Sequence, residues 1–261
     1  MIDLHCHILP GIDDGAKDMD ETLEMARIAT SQGIKNIICT PHYIQYNDSS
    51  NKNHLEGLVQ EVNKCLYKEG ILLNLSVGHE IYITPDLPKL VREGEVATLN
   101  NSRYILIEFP MNDIPIYAED VFYELRLMGL VPILAHPERY PMIMENPNLL
   151  LKFLNLGVLC QANVGSIRGV FGERVQKTVM TLIDHNMIHF IATDAHSTKR
   201  RSPKIKEALE VIKEHDLQLV EELFYENPLK VYQNEEIDAP KPKEVVKKGF
   251  FFNLFSKRIL K

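Results

Sequence analysis

Histidines and carboxylates recur in this chain at spacings that suit metal binding. His5-Cys6-His7 puts two imidazoles on one side of an extended segment, because side chains alternate with period two. Asp194-Ala195-His196 repeats that geometry with one carboxylate. Glu108 ends the apolar run Tyr104-Ile105-Leu106-Ile107, and His136 follows Ile133-Leu134-Ala135. A carboxylate at the end of a buried strand needs a partner or a metal, since an unpaired buried charge is costly. His42 and Glu80 close two more apolar runs. Singly, each is explained as well by a polar strand end or a hydrogen-bonded core histidine. Jointly, His5, His7, His42, Glu80, Glu108, His136, Asp194 and His196 form a set that chance placement of ten histidines would not give.

A donor set of imidazoles and carboxylates without thiolates suits Mn, Fe, Zn, Co or Mg rather than a structural zinc site. There are too many donors for one ion, whereas two or three ions bridged by Glu80 or Glu108 would use them. Clustered metals can deprotonate water and hold both the attacking and leaving oxygens of a phosphoester. Arginine fits the same chemistry. Arg139 lies just beyond His136, and Arg200 and Arg201 follow His196. A planar guanidinium matches phosphate bidentately, a role assigned to Arg139 and Arg201, with Arg200 read as a surface ion pair. His42 and His136 are also candidate proton donors. A cysteine phosphatase needs an arginine six residues after its nucleophile, and Cys6, Cys39, Cys65 and Cys160 all lack one.

Strand-like and helix-like segments alternate around these residues. Short apolar runs at residues 1–5, 36–40, 73–80, 104–109, 131–135, 158–162 and 188–192 read as strands. Helical patterns follow at 20–32, 53–69, 86–93, 118–128, 146–156, 173–186 and 203–215. Asp18 and Glu21 are spaced as a capping box, and Gly33 is a stop. Seven β-then-α units with nearly all-apolar strands imply a parallel sheet covered on both faces. An open sheet usually gathers its site at one switch point, whereas a barrel gathers it from many strand ends. The candidate ligands end nearly every strand, which favours the barrel.

The 261 residues suffice for a large buried core. No N-terminal secretory pattern and no apolar run of about 20 residues is present, and the cysteines form no CxxC pair, so a cytoplasmic protein is expected. From Ala239 onward there are seven bases and one acid, against 22 bases and 35 acids before it. The acidic body argues against nucleic-acid binding. The chain thus divides into a body, residues 1–233, and a basic, aromatic tail, 234–261. In the tail, Pro240-Lys241-Pro242-Lys243 reads as a linker, and basic residues flank Phe250-Phe251-Phe252 as in membrane-surface anchors; docking on the body is the alternative.

These residues resemble the PHP (polymerase and histidinol phosphatase) superfamily: His5-Cys6-His7 with Asp14-Gly15, then His42, Glu80, His136 and Asp194-Ala195-His196. MIDLHCHILPGIDDGA, CTPHY, YILIEFP, AHPERY and TDAHS narrow the match to the manganese-dependent tyrosine phosphatases of bacterial capsule and exopolysaccharide operons. The resemblance implies a distorted (β/α)7 barrel with three metals, Mn²⁺ foremost. It implies one ion on His5, His7, Glu80 and Asp194, a second on Glu80, Glu108 and His136, and a third on His42, Glu108 and His196. Asp14 is then either a ligand or a residue that orients one, and Cys160 stays in the core. The implied substrate is the phosphorylated tyrosine-rich tail of a membrane-associated tyrosine kinase, with residues 43–48 at the rim of the mouth. A PHP phosphoesterase for another substrate, such as histidinol phosphate, is the alternative.

Overall fold

The computed structural model describes residues 1–43, 45 and 51–246. Most of the expected rim segment, and the tail from Lys247 onward, lie outside the described residues. The chain runs β1 (Ile2–Cys6), α1 (Met19–Ser31), β2 (Asn36–Cys39), β3 (His42–Tyr43), α2 (Lys52–Lys68), β4 (Asn74–Val77), β5 (Glu80–Tyr82) and α3 (Leu87–Arg92). It continues with β6 (Tyr104–Glu108), α4 (Ala118–Leu127), β7 (Val131–Ala135), α5 (Pro141–Glu145), α6 (Leu151–Asn155), β8 (Leu159–Asn163), α7 (Val164–Ile167) and α8 (Glu173–Asp184). Last come β9 (Phe190–Ala192), α9 (Lys206–His215), α10 (Leu217–Glu221) and α11 (Asn227–Gln233).

All strand pairs are parallel. They form a three-stranded sheet, β1-β2-β4, and a six-stranded sheet, β3-β5-β6-β7-β8-β9. The second and third expected strands are each broken in two. Pro41 has no N–H to give the ladder and ends the first half of one. Gly78 sits at the break in the other, where a Cβ would lie 2.8 Å from Ile38 and 2.9 Å from Leu99. The first halves join β1 and the second halves join β6. At the other seam, Asp194 donates to the His5 carbonyl (2.8 Å) and His7 to the Ala195 carbonyl (2.9 Å).

Strand alternation divides the core. Ile2, Leu4, Ile38, Tyr104, Leu106, Ile133, Ala135, Leu159, Phe190 and Ala192 pack in one cluster drawn from both sheets. Their neighbours Ile37, Ile105, Ile107, Leu134, Cys160 and Ile191 face the helices. Helix α8 supplies such a face with Val175, Val179, Leu182 and Ile183. Helix α1 is capped by Asp18, which accepts from Glu21 N–H (2.9 Å), while Glu21 reaches back to Lys17 N–H (3.2 Å).

Two expectations are corrected, and one stretch adds elements that no expectation covered. The helix expected at 146–156 is a 3₁₀ turn, Pro147–Leu150, followed by the short α6, because prolines at 141 and 147 restart the chain. Beyond His215 the chain adds α10, a π turn and α11, whose Val231 closes the inner cluster at the end away from the ligand candidates. The linker at 240–243 is a docked strap: Asn186 donates to the Lys241 carbonyl (3.1 Å), and Lys243 donates to the His185 carbonyl (2.8 Å). Val245 exchanges two hydrogen bonds with the Asn148 side chain. Proline keeps this segment extended, leaving its carbonyls free to accept.

Candidate metal centre

Six of the eight expected ligand residues lie at or just past the C-terminal ends of β1, β6, β7 and β9, His42 and Glu80 open β3 and β5, and the structure brings all eight together. His5 Nε2 lies 3.1 Å from His7 Nε2, 3.3 Å from Glu80 Oε2 and 3.4 Å from Asp194 Oδ1. His7 Nε2 is 3.3 Å from the same Glu80 oxygen. His42 Nδ1 is 3.1 Å from Glu80 Oε2 and 3.9 Å from Glu108 Oε2. His136 Nε2 is 3.0 Å from Glu80 Oε1 and 3.5 Å from Glu108 Oε1. Asp14 stands between His42 (3.5 Å) and His196 (3.3 Å). Glu80 is thus the hub, touching four imidazoles. Three overlapping groups could each hold an ion: His5, His7 and Glu80; His42, Glu80 and Glu108; and His7, Asp14, His42 and His196. In the last group Asp14, not Glu108, meets His42 and His196.

Two observations test whether such a set fits divalent ions. Two donors about 2.1 Å from one ion, at octahedral to tetrahedral angles, lie about 3.0–3.4 Å apart. Most of the separations above match that range. Asp194 Oδ1 is buried with no hydrogen-bond partner, yet lies 3.4–3.6 Å from His5, His7 and His196 nitrogens. Such an orphaned oxygen needs an explanation, and a shared cation supplies one.

The charge balance agrees. Asp13, Asp14, Glu80, Glu108 and Asp194 crowd among the imidazoles, and two guanidiniums reach the group, both at Asp194. Burial alone would lower the His7 imidazole, but the Asp13 and Glu80 carboxylates raise it to about 10. Burial and the neighbouring Glu80 push Glu108 up to about 7. Burial raises Glu80 and Asp194, but the histidines around Glu80, and His5 with Arg201 at Asp194, pull both below the usual carboxylate range. Burial instead lowers His136, to about 4, and His196, so the protons held at His7 and Glu108 mark the places a divalent ion would take.

Arg139 Nη1 (3.2 Å) and Arg201 Nη2 (2.7 Å) both reach Asp194 Oδ2, so the two expected phosphate binders converge at one edge of the cluster. Arg139 also stacks on the Phe171 ring, 4.8 Å from its centroid. Arg200 instead donates to the Val170 carbonyl, away from the cluster. His136 (φ 35°) and Asp194 (φ 50°) hold left-handed backbone, a costly conformation for such residues that clusters at functional sites.

Over residues 1–233 the chain matches the family described as capsular polysaccharide synthesis, CpsB/CapC. The chain belongs to the CpsB/CapC family. It is 39% identical over 254 residues to the tyrosine-protein phosphatase YwqE of Bacillus subtilis, covering 96% of this chain and 99% of that protein. It is 37% identical to the putative tyrosine-protein phosphatase CapC of Staphylococcus aureus, covering 97% and 100%. A solved structure from work on YwqE and Streptococcus pneumoniae CpsB, described as metal-dependent tyrosine phosphatases, aligns with a TM-score of 0.91. That alignment has 39% identity and covers 95% of this chain and 100% of that one. An organophosphorus hydrolase, 14% identical with a TM-score of 0.53, shares the fold alone.

Within this CpsB/CapC chain several site residues were not read from the sequence. Asp13, rather than Asp14, orients His7: its Oδ2 accepts from Nδ1 (2.6 Å) and from His42 N–H (3.1 Å), and its Oδ1 accepts from Gly15 N–H (2.9 Å). Gln161 Oε1 holds His5 Nδ1 (2.9 Å), and Asn163 donates to Asp194 Oδ2. Glu138 anchors Asn163 N–H and the Ser166 hydroxyl. Alternation along residues 160–163 carries the signal: Cys160 faces the helices, so Gln161 and Asn163 face the site. His79 faces away from Glu80 and accepts from Ala97 N–H (2.9 Å). Cys160 is buried, as expected, and burial raises its thiol above the ordinary range.

Proposed function

We propose that this chain is a metal-dependent protein-tyrosine phosphatase acting on a phosphorylated tyrosine-rich segment of a membrane-associated tyrosine kinase, and thereby regulating capsule or exopolysaccharide synthesis. The observation that carries it is the convergence of eight ligand-type side chains and two arginines at one cleft, in a chain 39% identical to YwqE over nearly its whole length. His5, His7, His42, Glu80, Glu108, His136, Asp194 and His196 hold the ions, with Asp14 as a further ligand; the donor set suits two or three ions of Mn, Fe, Zn, Co or Mg, and the resemblance puts Mn²⁺ foremost. When bound, divalent ions acidify water and neutralise phosphoryl charge.

The chain's own groups do the rest. Arg139 and Arg201, both steered by Asp194, bind the non-bridging phosphoryl oxygens and offset charge that builds in the transition state. Asp13 and Gln161 fix the ring orientations of His7 and His5. The leaving phenol has a pKa of about 10, so it departs with little help. Of the two candidate donors His42 is the more accessible and His136 is buried, and either supplies a proton only where it is not committed to an ion. The body, 1–233, acts as one catalytic unit. We take it to be the distorted (β/α)7 barrel, a reading supported by the inner cluster drawn from both sheets. The protein works in the cytoplasm, and the basic aromatic tail brings it to the inner face of the membrane. No described helix is long and apolar enough to cross a membrane.

The test is phosphate release from a phosphotyrosine peptide and from histidinol phosphate, in parallel. Preference for the peptide supports the reading; preference for histidinol phosphate moves the substrate while keeping the metal chemistry.

A further inference from the structure

A cavity of about 410 Å³ opens beside the cluster, lined by His42, Tyr43, Tyr82, Thr84, Leu90 and Glu108. That volume lies in the range of small-molecule sites, and such sites combine apolar walls with a few placed polar groups. Here His42 and Glu108 are the placed groups, and Tyr43, Tyr82 and Leu90 are the walls. The arrangement follows from local structure. Glu80 and Tyr82 stand two apart on β5, so alternation sends both side chains to the same face. Leu90 comes from α3 just beyond that strand. His5, His7, Glu80 and Asp194 are buried, whereas the His42 side chain keeps 30% and Glu108 16% of its exposure. The cluster therefore opens toward the slot.

We propose that this slot receives the phenyl ring of the substrate and makes the site selective for aryl over alkyl phosphate esters, with Tyr82 and Leu90 as specificity-determining residues. This rests on the phosphatase reading above. An aromatic ring between Tyr82 and Leu90 gains ring contacts and leaves water. A seryl phosphate reaching the same phosphoryl position leaves the apolar walls wet. Tyr82 is 47% exposed, so its removal does not open the core, unlike removal of the buried Leu90.

The experiment uses the Mn²⁺-loaded full chain and its Tyr82→Ala, Tyr82→Phe and Leu90→Ala variants. One peptide is supplied in phosphotyrosine, phosphoserine and non-hydrolysable phosphonomethyl-phenylalanine forms. Tyr82→Ala is expected to raise KM for the phosphotyrosine peptide about tenfold and to weaken the phosphonate peptide equally. The preference over the phosphoserine form falls in step, while competitive inhibition by inorganic phosphate shifts less than about twofold. Tyr82→Phe, which keeps the ring, stays near the parent. If the parent cleaves the phosphotyrosine peptide but Tyr82→Ala and Leu90→Ala bind both tyrosyl peptides as tightly, the slot assignment is wrong and the phosphatase reading stands. A parent that neither cleaves nor binds the tyrosyl peptides overturns both.

Discussion

Gly15 lies against the backbone of His7, and Gly15→Ala is the smallest change that tests whether the loop after β1 holds the centre together. A Cβ at position 15 would lie 2.0 Å from the His7 carbonyl oxygen and 2.6 Å from His7 Cβ. Both are main-chain or near-main-chain atoms that no rotamer change can clear. A normal contact needs about 3.4 Å or more, so the two segments must part by more than about 1 Å. Parting them strains the Ala16 N–H bond to the His7 carbonyl (3.0 Å) and the Gly15 N–H bond to Asp13 (2.9 Å). His7 then loses its orienting carboxylate. Overpacking of this kind costs about 1–3 kcal/mol or more, and a 1 Å misplacement of a catalytic group costs about 10²-fold in rate. The assay is kcat/KM on a phosphotyrosine peptide across a Mn²⁺ titration, with urea unfolding of the metal-free protein alongside. Gly57→Ala is the control: it sits inside α2 with nothing within 4 Å of an added Cβ. It should stabilise by up to about 1 kcal/mol and leave kinetics alone. A Gly15→Ala protein with parental kinetics and Mn²⁺ requirement would refute the reasoning.

Other consequences follow from the same geometry. Arg201→Lys keeps charge but loses the planar fork, so kcat/KM falls about 10²-fold and inhibition by inorganic phosphate weakens, while Arg200→Lys stays within about twofold. If His7 is a ligand as proposed, metal binding at pH 7.5 should expel a proton from its imidazole, which is raised to about 10. Calorimetry in buffers of different ionisation enthalpy should show smaller release in Asp13→Asn, and equal release would count against the Asp13–His7 pair. His189, buried away from the cluster, has its imidazole pushed down to about 4 by burial. The unfolded chain therefore takes up this proton below about 6.5 while the folded chain does not until about 4, and stability falls as pH drops through that window. Between pH 7 and 5 the contribution is about 2 kcal/mol. His189→Gln should flatten the pH dependence of metal-free urea unfolding by about that much, and an unchanged slope would exclude the effect.

The ligand candidates were legible only jointly: each alone has an ordinary reading, but nearly every apolar run ends in one. Parallel strands buried on both faces announce themselves by composition, and their C-terminal ends are where chemistry gathers. The breaks at Pro41 and Gly78 were harder to see, since the apolar runs continue across them and the split depends on which neighbour each half finds. Helix α11 was missed because its value lies in closing the inner cluster with Val231, a tertiary fact with weak local periodicity. Asp13 was passed over for Asp14 because two adjacent acids in a loop have no period to rank them; only the 2.6 Å contact with His7 does so. Gln161 and Asn163 were within reach, since assigning Cys160 to the helix side placed both on the site side.

The most direct test of the central claim measures metal content and phosphotyrosine hydrolysis on one sample, before chelation, after exhaustive chelation and after Mn²⁺ is returned, for the parent and for Glu80→Gln. Because Glu80 touches four imidazoles of the cluster, the parent should lose ions and activity together and regain both. Glu80→Gln should bind fewer ions at every stage and lose activity by several orders of magnitude while keeping its fold. Undiminished hydrolysis by metal-free parent, or a Glu80→Gln protein with full metal content and full rate, would contradict the account.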